Sequence, residues 1–240
     1  MQFLLIHGGW QGGWCWDGVV RELERRGHVA VAPTLPGLEP DAKDRSGVGL
    51  WTFIRYITGE LVSRDMTDVV IVGHSGGGSV AQGVAEAIVE RIRAIVFMSA
   101  RVLRHGESIL DLGDPERRNS YERRAAATGD NTVPMSEDLW LRLCSDTSEE
   151  ETRAWLPRVV PNPMGWLTEP AVLPTAAWRT IPSAYIFLDG ENPRAKAFYA
   201  QMAARLPEPR FTHCPGGHEA MLSQPAAVAD AILRAAAGSS

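Results

Sequence analysis

Short runs of apolar residues, unbroken by polar alternation, recur along this chain between segments of helical period. Residues 3–6, 28–32, 69–72, 94–98, 183–188 and 209–213 read as strands. A strand without alternation is buried on both faces, the habit of parallel sheets covered by helices. Between these runs, residues 16–26 place Val19, Val20 and Leu23 on one face and charges on the other. Residues 79–88 form a helix of small residues, and a last helix spans residues 225–237. The alternation predicts an α/β fold with a mostly parallel, doubly wound sheet. Such sheets bind ligands at the carboxyl ends of their strands. His7, Ser75, Glu191 and His218 each follow a predicted strand, so the topology gathers them on one edge.

Residues 102–180 break this rhythm. They carry Trp140, Trp155, Trp166 and Trp178, with helical pieces at 115–127 and 137–144. The segment lies between the fourth and fifth strands, where an insertion would cover the site. The expected division is a core of residues 1–101 and 181–240 with a helical cap of residues 102–180. Trp10 and His74 from the core, with Trp140 and Trp166 from the cap, are expected to line an apolar pocket. The other tryptophans of the segment are expected to pack the cap onto the core. The small residues from 235 to 240 predict a frayed tail.

A chain of 240 residues, 45% hydrophobic, is long enough for one large α/β domain. Its net charge of −5 supplies no basic field for nucleic acid or an anionic membrane. Cys15, Cys144 and Cys214 are too scattered for a disulfide framework or a zinc site, and Cys15 is expected to fill core. No apolar run approaches the length of a membrane span, and no cationic leader opens the chain. A cytoplasmic protein acting on a small molecule is the expectation, and a homodimer is compatible with it. The Arg- and Ala-rich composition suggests a bacterial source.

The chemistry centres on Gly73-His74-Ser75-Gly76-Gly77, set between a strand and a helix. A Gly-x-Ser-x-Gly in that context is a nucleophile elbow, a turn that lifts the serine above the sheet. Serine needs a base, and imidazole is suited to neutral pH. His218, in a glycine-rich loop between the sixth strand and the last helix, is the candidate; His213 is the rival. The imidazole needs a carboxylate between serine and histidine in chain order. Asp189 and Glu191 both follow the fifth strand, and alternation alone does not separate them. Glu191, further into the loop, is preferred. Gly76 and Gly9 are the expected N–H donors to an oxyanion, with Trp10 as the alternative to Gly9. This chemistry requires no cofactor and no metal.

The runs His7-Gly8-Gly9-Trp10-Gln11-Gly12-Gly13-Trp14-Cys15-Trp16, Ala32-Pro33-Thr34-Leu35-Pro36-Gly37, Gly73-His74-Ser75-Gly76-Gly77 and Gly216-Gly217-His218 resemble the α/β-hydrolase superfamily. More narrowly, they are similar to the branch holding plant methylesterases, hydroxynitrile lyases and bacterial esterases. The likeness covers the core well and the middle segment poorly. It implies an α/β-hydrolase fold, a serine esterase mechanism through an acyl-enzyme, and a triad acid at Glu191, where that branch carries aspartate. Hydroxynitrile lyases of the branch have threonine and lysine where this chain has Gly8 and Glu219, and a carboxylate would repel cyanide. Lyase chemistry is therefore disfavoured. Cleavage of a carboxylic ester of an apolar or aromatic small molecule is the expectation. Thioester, lactone or carbon–carbon bond hydrolysis, or a low-turnover ligand receptor, are the alternatives that one scaffold also permits.

Overall fold

The residues of each central strand divide between two cores, one on either face of the sheet. In a computed structural model describing residues 1–238, Leu4, Ile6, Ile71, Ile95 and Phe97 point to one core, and Phe3, Leu5, Val70, Val72 and Val96 to the other. This period of two, apolar on both sides, is what the unbroken sequence runs encode.

The first half of the chain runs β1 (Gln2–Ile6), α1 (Asp17–Arg25), β2 (Val29–Val31), α2 (Leu50–Ser63), β3 (Val69–His74), α3 (Gly77–Ala87) and β4 (Ile92–Met98). The middle segment holds α4 (Pro115–Ala126), β5 (Thr132–Val133), α5 (Glu137–Leu143), α6 (Glu149–Trp155), β6 (Asn162–Pro163) and α7 (Met164–Thr168). The chain closes with β7 (Ser183–Leu188), α8 (Pro193–Ala203), β8 (Arg210–Cys214), α9 (Ala220–Ser223) and α10 (Pro225–Ala236). The main sheet has the order β2-β1-β3-β4-β7-β8, and every neighbouring pair is parallel. Helices α1 and α10 pack together on one face, and α2 and α3 on the other. This is the α/β-hydrolase architecture. No helix among the described residues is long and apolar enough to cross a membrane.

Helices α2, α6, α7, α8 and α9 have no counterpart in the sequence expectation, and the longest of them are α2 and α8. Helix α2 buries Leu50, Phe53, Ile54, Ile57 and Leu61, a spacing of three and four that carries one apolar stripe. Helix α8 has Asn192 as its cap, accepting from Ala195 N at 3.0 Å, with Pro193 at its first position. Residues 235 and 236 do not belong to the expected frayed tail. Ala235 and Ala236 are buried members of α10, because methyl side chains let that helix lie close against the sheet. Ser239 and Ser240 lie outside the described residues.

The middle segment sits over the carboxyl edge of the sheet. Its antiparallel pair β5 and β6 is tied to the loop after β1: Trp10 Nε1 donates to Val133 O at 2.6 Å, and Val160 N donates to Trp10 O at 3.0 Å.

Candidate active site

Ser75 occupies the turn between β3 and α3 with φ of 51°. A non-glycine residue there is strained, and the surrounding structure holds it. Ser75 N donates to Met98 O at 3.2 Å, and Arg101 N donates to Ser75 O at 2.9 Å. The flanking glycines are steric necessities. A Cβ on Gly77 would lie 2.6 Å from the carbonyl oxygens of Ile6 and His7, and one on Gly73 would lie 2.7 Å from Gly77 O.

His218 Nδ1 bonds Glu191 Oε1 at 2.6 Å, with the two side chains 11% and 3% exposed. The second carboxylate oxygen accepts from Ser99 Oγ at 3.1 Å. The neighbouring Asp189 bonds His213 Nδ1 at 2.8 Å on the open surface, with both side chains more than half exposed. The loop after β7 therefore turns its two acids in opposite directions, and each meets a different histidine. Burial pulls the His218 pKa down, but the bond to Glu191 and the charges of Glu191 and Glu219 outweigh it and leave the pKa raised. Tyr199 stacks on the imidazole with ring centroids 5.8 Å apart. Burial pushes the Tyr199 phenol up to about 12.

Two further histidines act on the backbone around this pair. His74 Nε2 bonds His218 O at 2.9 Å. Burial and the neighbouring His218 hold His74 well below the ordinary histidine range, so it is neutral and donates to that carbonyl. His7 bonds Gly8 O through Nδ1 at 2.8 Å and accepts from Leu35 N through Nε2 at 3.1 Å. Burial lowers its pKa to about 4, and the neutral form satisfies both contacts. The sequence marked His7 only as a residue at a strand end.

The loop after β1 passes beside Ser75. Trp10, with φ of 65°, donates its N–H to Asn162 Oδ1 at 3.3 Å. That donor is thereby engaged, whereas Gly9 N and Gly76 N have no protein acceptor among the described residues. Asn162 is fully buried in β6, and nothing in its sequence neighbourhood announces this part.

A cavity of about 600 Å³ opens over Ser75, with Gly9, Trp10, His74, Glu191 and His218 in its wall. Of the aromatic residues expected there, Trp10 and His74 line it. Trp166 lines a smaller apolar recess beside it with Ile109, Leu110 and Leu167, its ring against Gly76. Trp140 does not reach the site. It is buried in the middle segment, its indole N–H donating to Thr152 O at 3.0 Å, because packing α5 on α6 requires a large apolar group there.

The Ser75 hydroxyl oxygen accepts a hydrogen bond from Arg101 Nη1 at 2.7 Å, and His218 is not bonded to it in this arrangement. Arg101 had no part in the sequence reading. Glu219, beside His218, accepts from Gln11 Nε2. Its burial, with Glu191 and Asp146 nearby, raises its pKa against the opposing effects of His218 and Gln11.

The sequence matches the alpha/beta hydrolase family over residues 3–231. It is 30% identical over 237 residues to the carbendazim hydrolyzing esterase of Nocardioides sp. strain SG-4G, spanning 96% of this chain and 97% of that protein. A pyrethroid hydrolase of Sphingobium wenxiniae is 30% identical over 118 residues, covering 48% of this chain and 42% of its own. Among solved structures, an extracellular alpha/beta-hydrolase from a Paenibacillus species superposes with a TM-score of 0.91 at 26% identity, covering 98% of each chain. That enzyme is described as sharing structural and functional homology with tobacco salicylic acid binding protein 2. A methylesterase from Arabidopsis shares the fold with a TM-score of 0.81 at 19% identity. The chain belongs to the alpha/beta hydrolase family.

Proposed function

We propose that this protein hydrolyses a carboxylic ester of a small molecule through an acyl-enzyme on Ser75. The observation that carries the reading is the buried 2.6 Å bond between His218 and Glu191 on the same sheet edge as the elbow serine. The esterase and hydrolase names of its relatives agree with it.

In this account Ser75 Oγ attacks the ester carbonyl while His218 Nε2 takes its proton. Glu191 fixes the tautomer, with Nδ1–H toward the carboxylate, and stabilises the imidazolium. The N–H groups of Gly9 and Gly76 receive the oxyanion. His218 then protonates the departing alkoxide. Water, activated by the same imidazole, releases the acid and restores Ser75. His74 is a positioning residue, holding the backbone of His218 through its carbonyl. Asn162 has the same standing for the oxyanion loop, which it holds through Trp10 N. The carboxyl group of Glu219 on the cavity wall is of the wrong sign to stabilise cyanide, which speaks against lyase chemistry.

Hydrolysis of p-nitrophenyl butyrate by the protein and by Ser75→Ala tests the reading. Turnover that falls by about 10³-fold or more in the variant is expected. Equal turnover in both would refute it.

A further inference from the structure

The wall of the catalytic cavity carries cations that its acids do not neutralise. Arg101, Arg117 and Arg142 all line it, and among the described residues none has a carboxylate within ion-pair distance. The acids of the same wall are engaged elsewhere. Glu191 is bonded to His218 and Ser99, and Glu219 to Gln11. Arg101 and Arg117 are half-buried, and both also border the two recesses adjoining the cavity, so they stand where these spaces meet. Arg117 lies over the Tyr121 ring, 5.6 Å from its centroid. Arg101 spends one N–H on Ser75 Oγ, and its buried Nε has no acceptor. A guanidinium left without an anion in a partly desolvated wall is costly unless a ligand supplies one.

We infer that the substrate ester carries a second group, a carboxylate on a short acyl chain, held by Arg101 with Arg117 behind it. This rests on the proposed ester hydrolysis and specifies its substrate class: hemiesters of short dicarboxylic acids. The acyl carbon bonds to the oxygen that Arg101 already touches, so the anion sits close to it. A spacer of about one to three carbons matches hydrogen-bond reach from the remaining guanidinium N–H groups. A monoanion suits the site better than a phosphate dianion, which Glu191 and Glu219 would repel across the cavity.

The test measures monomethyl succinate and its neutral isostere methyl levulinate as competitors of p-nitrophenyl butyrate hydrolysis, a readout independent of how fast either is turned over. The wild type should bind monomethyl succinate about 10- to 100-fold more tightly, as expected for a charge-assisted bond. Arg101→Gln should bring that ratio to near one, whatever it does to overall turnover. Arg101→Lys should restore part of it, since lysine keeps the charge and loses the fork. Thermal melting of each variant verifies folding, and the wild-type ratio stands without any variant. Equal binding of the two compounds by the wild type, or a preference that survives in Arg101→Gln, overturns the inference. If Ser75→Ala hydrolyses the reporter ester as well as the wild type, the parent reading fails and this one with it. A Ser75-dependent enzyme without the preference loses only this one.

Discussion

Replacing Glu191 by glutamine leaves the size of the side chain nearly unchanged and removes its charge. The affected bond, His218 Nδ1 to Glu191 Oε1, is 2.6 Å long, with the acid side chain 3% exposed. Little water screens it, so the carboxylate acts on the imidazolium at nearly full strength. An amide can also turn its NH₂ toward Nδ1, which selects the tautomer unable to take the serine proton. Loss of a triad carboxylate in this way lowers kcat by about 10³- to 10⁴-fold, or about 4 to 5.5 kcal/mol of barrier. Asp189→Asn is the internal control. Its bond to His213 lies between exposed groups, and losing it should change kcat by less than about 3-fold. Both variants are assayed with p-nitrophenyl butyrate at saturating substrate, and folding is verified by thermal melting. If Asp189→Asn proves the more damaging, or Glu191→Gln retains more than about a tenth of the wild-type kcat, the assignment of the acid is wrong.

The raised His218 pKa means that the base is protonated at mildly acid pH, so kcat/KM should rise with pH along a limb lying above the ordinary histidine value of 6.5; Glu219→Gln, which removes one of the raising charges, should move that limb to lower pH. A limb below 6.5 in the wild type would contradict this. His7 has a folded pKa near 4 against 6.5, so the unfolded chain takes up the proton first and stability falls as pH drops from 6.5 toward 4, by about 3 kcal/mol for this fully buried group. Urea denaturation at pH 7 and pH 4 should show that extra loss in the wild type and not in His7→Gln, in which the remaining acid-sensitive groups still titrate; identical pH dependence would refute it. Asn162→Ala frees Trp10 N and should lower kcat/KM by about 10-fold through a loosened oxyanion loop. An unchanged kcat/KM in a folded variant would remove Asn162 from the account.

What the sequence made legible follows from locality. Ser75, His218 and Glu191 are each fixed by a strand end and a few neighbouring residues, so the local pattern carries their placement. Helices α2 and α8 carry local signals of the ordinary kind, an apolar stripe and an Asn-Pro start. Other features exist only through distant contacts. Asn162 and Trp10 meet across more than one hundred positions. Arg101 becomes notable only because β3 and β4 are neighbours and their ends bring it to Ser75 Oγ. Of the tryptophans in residues 102–180, Trp166 faces Gly76 and Trp140 is buried in the interior, a division that composition does not encode. The arginines of the cavity wall were hidden for the same reason, since residues 101, 117 and 142 come from separate segments.

The acyl-enzyme on Ser75 is the intermediate on which the whole mechanism turns, and it can be caught directly. The protein is mixed with p-nitrophenyl butyrate, quenched in acid within the first turnovers, and mapped by peptide mass spectrometry. A butyryl group on the peptide containing Ser75, absent in Ser75→Ala, is the result expected. Sustained hydrolysis with Ser75 unmodified, or with the acyl group on another residue, would contradict the account.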